Sequence, residues 1–255
     1  MQINNFLVIR FSLRLKEEWL RKAYGDEENR YGWLEMRGRI FKETLYRSLL
    51  EQSVRPKRVF LLLDVRDEEF YHACLNDLDE MIEPIFSKNW NHYEQVADRI
   101  SASGLTNIAV SRCDSDDLVA TDYFEKVNAA IRTATEKGES FEYVVATRGF
   151  ISDGVNIQET YYSCSPFLTI FEKEWNGANV YGIGHENVVK HSHIAVSDAR
   201  WMQYIHGTNI ANSFSAVDAD REAFEAAIRQ APKRTSMKRC PVAEFWPDGF
   251  HKVPA

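Results

Sequence analysis

The sequence predicts an α/β fold with a mostly parallel central sheet flanked by helices, and three observations carry that reading. Val59 to Leu63 is an unbroken apolar run ending at Asp64. Such a run belongs to a central parallel strand covered on both faces, because a half-exposed strand alternates. A second run, Asn107 to Cys113, ends on Asp114-Ser115-Asp116-Asp117. Stretches of helical period separate these runs from Phe6–Phe11 at the start, so the order is strand, helix, strand, with right-handed crossovers.

Taken in order, Phe6 to Phe11 is a buried opening strand. Residues 34 to 52 predict a helix with Ile40, Phe41, Thr44, Leu45, Ser48 and Leu49 on one face. Arg55-Pro56 stops it, since proline disfavours helical backbone in the residue before it. Val59–Leu63 is the next strand. Residues 67 to 86 place Leu75, Leu78, Met81, Ile82 and Ile85 at helical spacing and predict a helix there. Asn107–Cys113 is a strand. Thr121 to Ala134 is a helix with Thr121 as N-cap, and Glu142 to Thr147 a strand. Residues 150 to 215 carry short β-like runs, a Gly-Ile-Gly-His turn and many aromatics. Ala223 to Arg229 reads as a short helix, and the chain from Pro232 onward as extended. With no repeat or linker, the expectation is a single domain over 1–255: a regular half (1–120), a less regular half (121–230) and an extended basic tail (231–255).

A formal net charge of -7 argues against a nucleic-acid partner, whose phosphates are met with basic surface. It is compatible with a diphosphate ligand if a cation stands between. Cys74, Cys113, Cys164 and Cys240 form no Cys-x-x-Cys pair, which argues against a zinc site and suits reduced thiols. The apolar run Phe6–Ile9 is too short for a signal peptide or a membrane span. The expectation is a cytoplasmic protein without a transmembrane segment, peripheral membrane contact remaining open.

The strongest chemical signal is the acidic turn. In open parallel sheets, ligands bind beyond the carboxyl ends of the strands, and Asp114 and Asp116 stand at such an end, flanking the short Ser115. Two carboxylates there could share a hard cation, Mg²⁺ or Mn²⁺, whose remaining positions go to phosphates and water. The alternative is a surface turn capping the next helix, since Asp and Ser favour turns for local hydrogen-bonding reasons.

Arg112-Cys113-Asp114-Ser115-Asp116-Asp117 resembles the Asp-x-Asp segment of GT-A-type glycosyltransferases. More closely, the chain is similar to the rhamnosyltransferase family. Val8-Ile9-Arg10-Phe11-Ser12 is similar to that family's opening strand, Arg37 to Gln52 to its first helix, and Trp201-Met202-Gln203-Tyr204-Ile205-His206-Gly207-Thr208-Asn209 to its late Trp-x-Gln-x-x-His-Gly-x-Asn segment. The resemblance spans roughly residues 6 to 215. It implies a GT-A-like, Rossmann-like sheet, with the nucleotide-sugar-binding half at 1–120 and an acceptor half at 121–230. It also implies a nucleotide-sugar donor, a divalent cation, and a glycan or lipid-linked acceptor. Asp114 and Asp116 would hold the cation, with Ser115 between them at the donor. His206 would complete the metal shell, a role imidazole suits, or it is a structural histidine. Asp64 would meet the nucleotide base, or it caps a turn.

Arg10 could contact the nucleotide or pair with Asp64 or Asp114. Arg112 could bind phosphate or balance the aspartates. An inverting transfer needs a base for the acceptor hydroxyl. Glu186 and Asp198 rank first for it, ahead of His185, Glu159 and Glu174. The basic tail residues Lys233, Arg234, Lys238 and Arg239 could reach an anion or stand in solvent. Two rivals remain open at this stage. A sugar-phosphate nucleotidyltransferase would also use carboxylates and a metal, but Arg10–Arg14 lacks the glycine-rich loop expected there. A non-catalytic glycan-binding protein would hold Ca²⁺ in the acidic turn.

Overall fold

The structure is a computed structural model that describes residues 1–14, 17–206 and 239–253. In chain order the strands are β1 (Asn4–Arg10), β2 (Arg58–Asp64), β3 (Ile82–Ser87), β4 (Ile108–Asp114), β5 (Leu118–Val119), β6 (Tyr143–Ala146), β7 (Arg148–Ser152), β8 (Asn156–Tyr161), β9 (Leu168–Glu172), β10 (His193–Val196), β11 (Trp201–Tyr204) and β12 (Cys240–Pro241). The helices are α1 (Glu17–Tyr24), α2 (Arg30–Phe41), α3 (Arg47–Leu50), α4 (Glu68–Cys74), α5 (His92–Ala102) and α6 (Tyr123–Glu136).

A seven-stranded sheet has the order β10-β6-β9-β4-β1-β2-β3. Only β9 runs against its neighbours, so the expected mostly parallel sheet is what the chain forms. Alternation along the strands serves two cores. Leu7, Ile9, Leu61, Leu63 and Ala109 face one side, under α2, α3, α4 and α6. Phe6, Val8, Phe60, Leu62, Ile108 and Val110 face the other, under α5 and the segment around Val180 and Val188. Val59 to Leu63 are each at most 1% exposed, which is why that run carries no polar residue. β6, β9 and β10 come from beyond residue 121, so both halves of the chain build this sheet.

A second sheet, β12-β8-β7-β11-β5, packs over Leu118, Phe150, Ile157, Met202 and Phe250. β11 is anchored by Trp201, whose ring stacks on Phe167 at 4.7 Å and whose Nε1 donates to the Ala146 carbonyl at 2.7 Å. Gly149 is its register partner on β7. A Cβ there would lie 2.3 Å from the indole, so only glycine fits beneath it.

Four expectations change. The helix read over 67–86 is only α4, and Ile82–Ser87 is the edge strand β3. Pro84 cannot donate inside a helix but is tolerated on an edge strand, while Met81, Ile82 and Ile85 are buried by the sheet instead. α6 is preceded by Asp122, not capped by Thr121, whose backbone N–H donates to Gly249. The helix read over 34–52 begins earlier, at Arg30, and contains a π-helical turn at Lys42–Tyr46; Phe41, Thr44, Leu45, Ser48 and Leu49 are buried as expected, while Ile40 is only half-buried. The described part of the tail is not a solvated extension: β12 pairs with β8, and Phe250 and His251 are buried. Lys233, Arg234, Lys238 and the helix read at Ala223–Arg229 lie outside the described residues. No helix among the described residues is long and apolar enough to cross a membrane.

Candidate donor and metal site

The parallel strands β1, β2 and β4 end together. Arg10 is in register with Asp114 on one side and Leu62 on the other, and Asp64 is two residues further along β2. Strand order reverses between β1 and β4, because β2 and β3 extend one way and β4 the other. A crevice at such a reversal is where open α/β sheets bind ligands. Asp114, the last residue of β4, therefore stands at the switch point.

The acidic turn is mostly enclosed. Ser115, Asp116 and Asp117 are buried, and Asp114 alone among the four is exposed. Arg37 of α2 reaches the turn from above: its Nη2 donates to Ser115 Oγ at 2.7 Å and its Nε to the Phe11 carbonyl at 2.9 Å. His206, just past β11, brings Nε2 within 2.9 Å of Asp116 Oδ2. The Trp201–His206 segment thus delivers its histidine to the Asp-x-Asp turn, 90 positions away in sequence.

Electrostatics divide the three aspartates. Desolvation of its carboxyl by the surrounding protein and the Asp116 charge raise Asp114, although the residue as a whole is exposed, against the pull of Arg37, Arg112 and Arg10. Burial also opposes ionisation of Asp116, but the His206 hydrogen bond and Arg37 hold it below the ordinary value. Asp117 is pushed well above by burial and by Asp116 and Asp114. Its Oδ1 accepts from the Tyr204 N–H, while its buried Oδ2 has no hydrogen-bond partner. A carboxyl raised in the folded state stabilises the fold while protonated, and that contribution is lost as pH rises past its unfolded value of about 3.9. Asp117→Asn should therefore raise Tm at pH 7, by about 2–4 °C for each kcal/mol relieved, with the gain vanishing below about pH 4. A thermal melt at both pH values checks this.

The other expected residues have definite partners. Arg10 pairs with neither Asp64 nor Asp114. Its Nε donates to Tyr93 Oη at 2.7 Å, and its guanidinium lies 3.8 Å over the Tyr181 ring. Tyr181 in turn donates to carbonyls at the ends of β1 and β4, Val8 and Cys113. Arg112 is buried and donates to the carbonyls of Pro166, Val180 and Ile183. It fastens the 166–183 segment to the sheet, and burial lowers its pKa. Asp64 caps the turn after β2 by accepting from Arg66 N, and takes two more bonds from the Arg66 side chain. Those bonds, with Arg14 at 3.6 Å, outweigh burial and lower its pKa. Glu186 is exposed in the 3₁₀ turn His185–Lys190, where its charge offsets a small part of the lowering that burial imposes on Arg112. Asp198 is exposed and lies 3.9 Å from Lys126 of α6. Arg37, Tyr93 and Tyr181 were not expected at the site. A helical arginine and two loop or helix tyrosines carry no local signal for so distant a contact.

Asp114 and Asp116 offer hard oxygen donors whose charges act on one another, a pair whose chemistry fits a divalent cation. Among the described residues, no three His, Cys, Asp or Glu side chains stand arranged to hold an ion alone. A cation here would take Asp114 and Asp116 and complete its shell from ligand phosphates and water.

The family model described as "Putative rhamnosyl transferase" matches residues 5–218. No curated protein matches the chain in sequence. Among solved structures, S. aureus TarS is similar at TM-score 0.40 and 11% identity, over 91% of this chain and 41% of TarS. The chain thus spans well under half of that protein. S. aureus TarS 1-349 in complex with UDP-GlcNAc is similar at TM-score 0.43 and 12% identity, over 91% and 68%. A "putative nucleotide-diphospho-sugar transferase" from Desulfovibrio desulfuricans G20 is similar at TM-score 0.40 and 17% identity, over 90% and 98%.

Proposed function

The chain belongs to this rhamnosyl transferase family and is a glycosyltransferase, and from that premise we propose that it moves a sugar, rhamnose being the first candidate, from a nucleotide-sugar donor to a hydroxyl of a glycan or lipid-linked acceptor. The observation that carries the reading is the Asp-x-Asp turn at the switch point, with Asp116 tied to His206. Bound Mg²⁺ or Mn²⁺ would neutralise charge on the departing nucleoside diphosphate. Asp114 and Asp116 would hold it, and His206, bonded to Asp116, would orient that carboxylate or join the shell.

The protein's own groups supply the rest. Arg10 is held flat by Tyr181 and Tyr93 in register with Asp114, which preorganises its guanidinium toward a phosphate. Arg37 ties the Ser115 hydroxyl in the turn to the Phe11 carbonyl just past β1. Asp64, already bonded to Arg66, can meet a base only through a rearranged or shared carboxylate. Arg112 gives Nε and Nη1 to three carbonyls, so in this reading its main role is to fasten the 166–183 segment.

For the base that takes the acceptor proton, the geometry favours Glu186 over Asp198. Glu186 is exposed and stands near Arg112, which precedes the acidic turn by two residues, whereas Asp198 is turned to Lys126 on α6. Glu186→Gln should lower kcat by roughly a hundred-fold with little change in donor KM, and Asp198→Asn should leave both near wild type. Steady-state kinetics on the two variants separates them.

The whole reading is tested by a panel of nucleotide sugars assayed for Mn²⁺-dependent transfer or hydrolysis. Release of a nucleoside diphosphate supports it. Pyrophosphate release from a sugar phosphate and a nucleoside triphosphate would point to a nucleotidyltransferase, and Ca²⁺-dependent glycan binding without turnover to a binding protein.

A further inference from the structure

Resting on the donor reading above, we propose that Trp90 is the stacking platform for the base of the donor nucleotide, on a wall formed by Ser87–Tyr93. This wall touches both ends of the donor edge. Ser87 ends β3 in register with Asp64. His92 places Nε2 2.7 Å from the Leu63 carbonyl, one residue before Asp64. Tyr93 receives the hydrogen bond from Arg10, which is in register with Asp114. Trp90 lies between Ser87 and these two contacts, on a connection that touches β2 and β1 at their carboxyl ends.

Trp90 stands in a turn conformation that a bulky side chain rarely takes. Its φ is 61°, in the left-handed region that bulky side chains avoid and that glycine or asparagine fills without strain. Yet the indole is 47% exposed, so the core gains little from it. The loop holds it there: Ser87 Oγ accepts from the N–H groups of Asn89 and Asn91 and donates to Asn91 Oδ1 at 2.6 Å. The His92 ring stands edge-on at 6.3 Å, and its buried Nδ1 has no hydrogen-bond partner. A backbone outlier kept in place by its surroundings, presenting an exposed aromatic face, is a mark of function.

The ligand class follows from position. Asp114 on β4 and Ser87 on β3 are three strand spacings apart, about 14 Å at about 4.8 Å each. With a diphosphate at Asp114 and the base on the Asp64 side, as in the donor reading, a ribose and its base would extend across β1 and β2 toward β3. The transferred sugar and the acceptor lie at the other end of the diphosphate. The planar group within reach of Trp90 is therefore the base, and an indole stacks on a base of any sequence type.

The test is calorimetric titration of the full chain, with Mn²⁺ present, using UDP, dTDP and GDP and, as a base-free probe, inorganic pyrophosphate. Trp90→Ala should weaken the preferred nucleoside diphosphate on the order of ten- to a hundred-fold, Trp90→Phe should restore most of the affinity, and pyrophosphate binding should stay unchanged in both. Unaltered nucleoside diphosphate binding in Trp90→Ala overturns the proposal. So does an equal loss for pyrophosphate, which would mean that Trp90 acts through the fold. If the wild-type chain binds pyrophosphate but none of the nucleoside diphosphates more tightly, the base platform fails while a metal-held diphosphate stands. If it binds neither, the donor reading fails with it.

Discussion

Asp114→Asn should abolish sugar transfer, lowering kcat/KM on the order of a hundred-fold or more, while the protein melts at or above the wild-type temperature. The two halves of this expectation have one cause. Asp114 ends β4 at the switch point and is the accessible carboxylate of the acidic turn. In the protein alone its charge is a burden, since partial desolvation of the carboxyl and the Asp116 charge raise its pKa. Its ionisation therefore costs stability as pH rises past the unfolded value. Asparagine keeps the shape and removes the charge. Stability is regained and the grip on a cation is lost, the trade expected where a site holds like charges together for function. Transfer kinetics and a thermal melt on the same preparation check both halves. A mutant that is inactive only because it is unfolded would speak against the assignment.

Arg30→Ala should give the largest loss of stability, about 3–5 kcal/mol, or roughly 10 °C or more in Tm. Arg30, the first residue of α2, forms a two-bond ion pair with Asp67 in the turn after β2, and both are at most 4% exposed. Its Nη2 also donates to the Ser12 carbonyl, just past β1, at 2.9 Å. One guanidinium thus ties the helix that carries Arg37 to the ends of both strands that shape the donor edge. Truncating it leaves Asp67 buried and unpaired. Replacing the pair together, by Arg30→Met with Asp67→Leu, should recover much of the loss, because the cost lies in the orphaned charge. Denaturant melts of the single and double variants check this.

Much of the fold was legible because central parallel strands are apolar on both faces. β1 and β2 stand out as unbroken apolar runs and β4 as a shorter one, Ile108–Val110, before Ser111 and Arg112, and their order already implied the parallel sheet. β3 was not legible as a strand. Pro84 and Glu83 interrupt it, and Ile82 and Ile85, three apart, mimic a helix turn. α5 was missed because it buries only His92, Val96 and Ile100 among eleven residues. At the site, the Asp-x-Asp turn was visible from the strand that delivers it, and His206 from a recognisable segment. The partners of Arg10 and Arg112 were not. Nearby aspartates invite a salt-bridge reading, but Arg10 turns to Tyr93 and Tyr181, and Arg112 to carbonyls 54 to 71 positions away. Arg37 and Asp67 were invisible for the same reason, since a long-range contact leaves no local pattern.

The central claim is that Asp114 and Asp116 bind the donor diphosphate through a divalent cation. It is tested most directly by titrating UDP, dTDP and GDP into the wild-type protein with Mn²⁺ and again with EDTA. Binding of one of them in Mn²⁺ that disappears in EDTA is the expected result. Equal affinity in both conditions would contradict a metal-held donor.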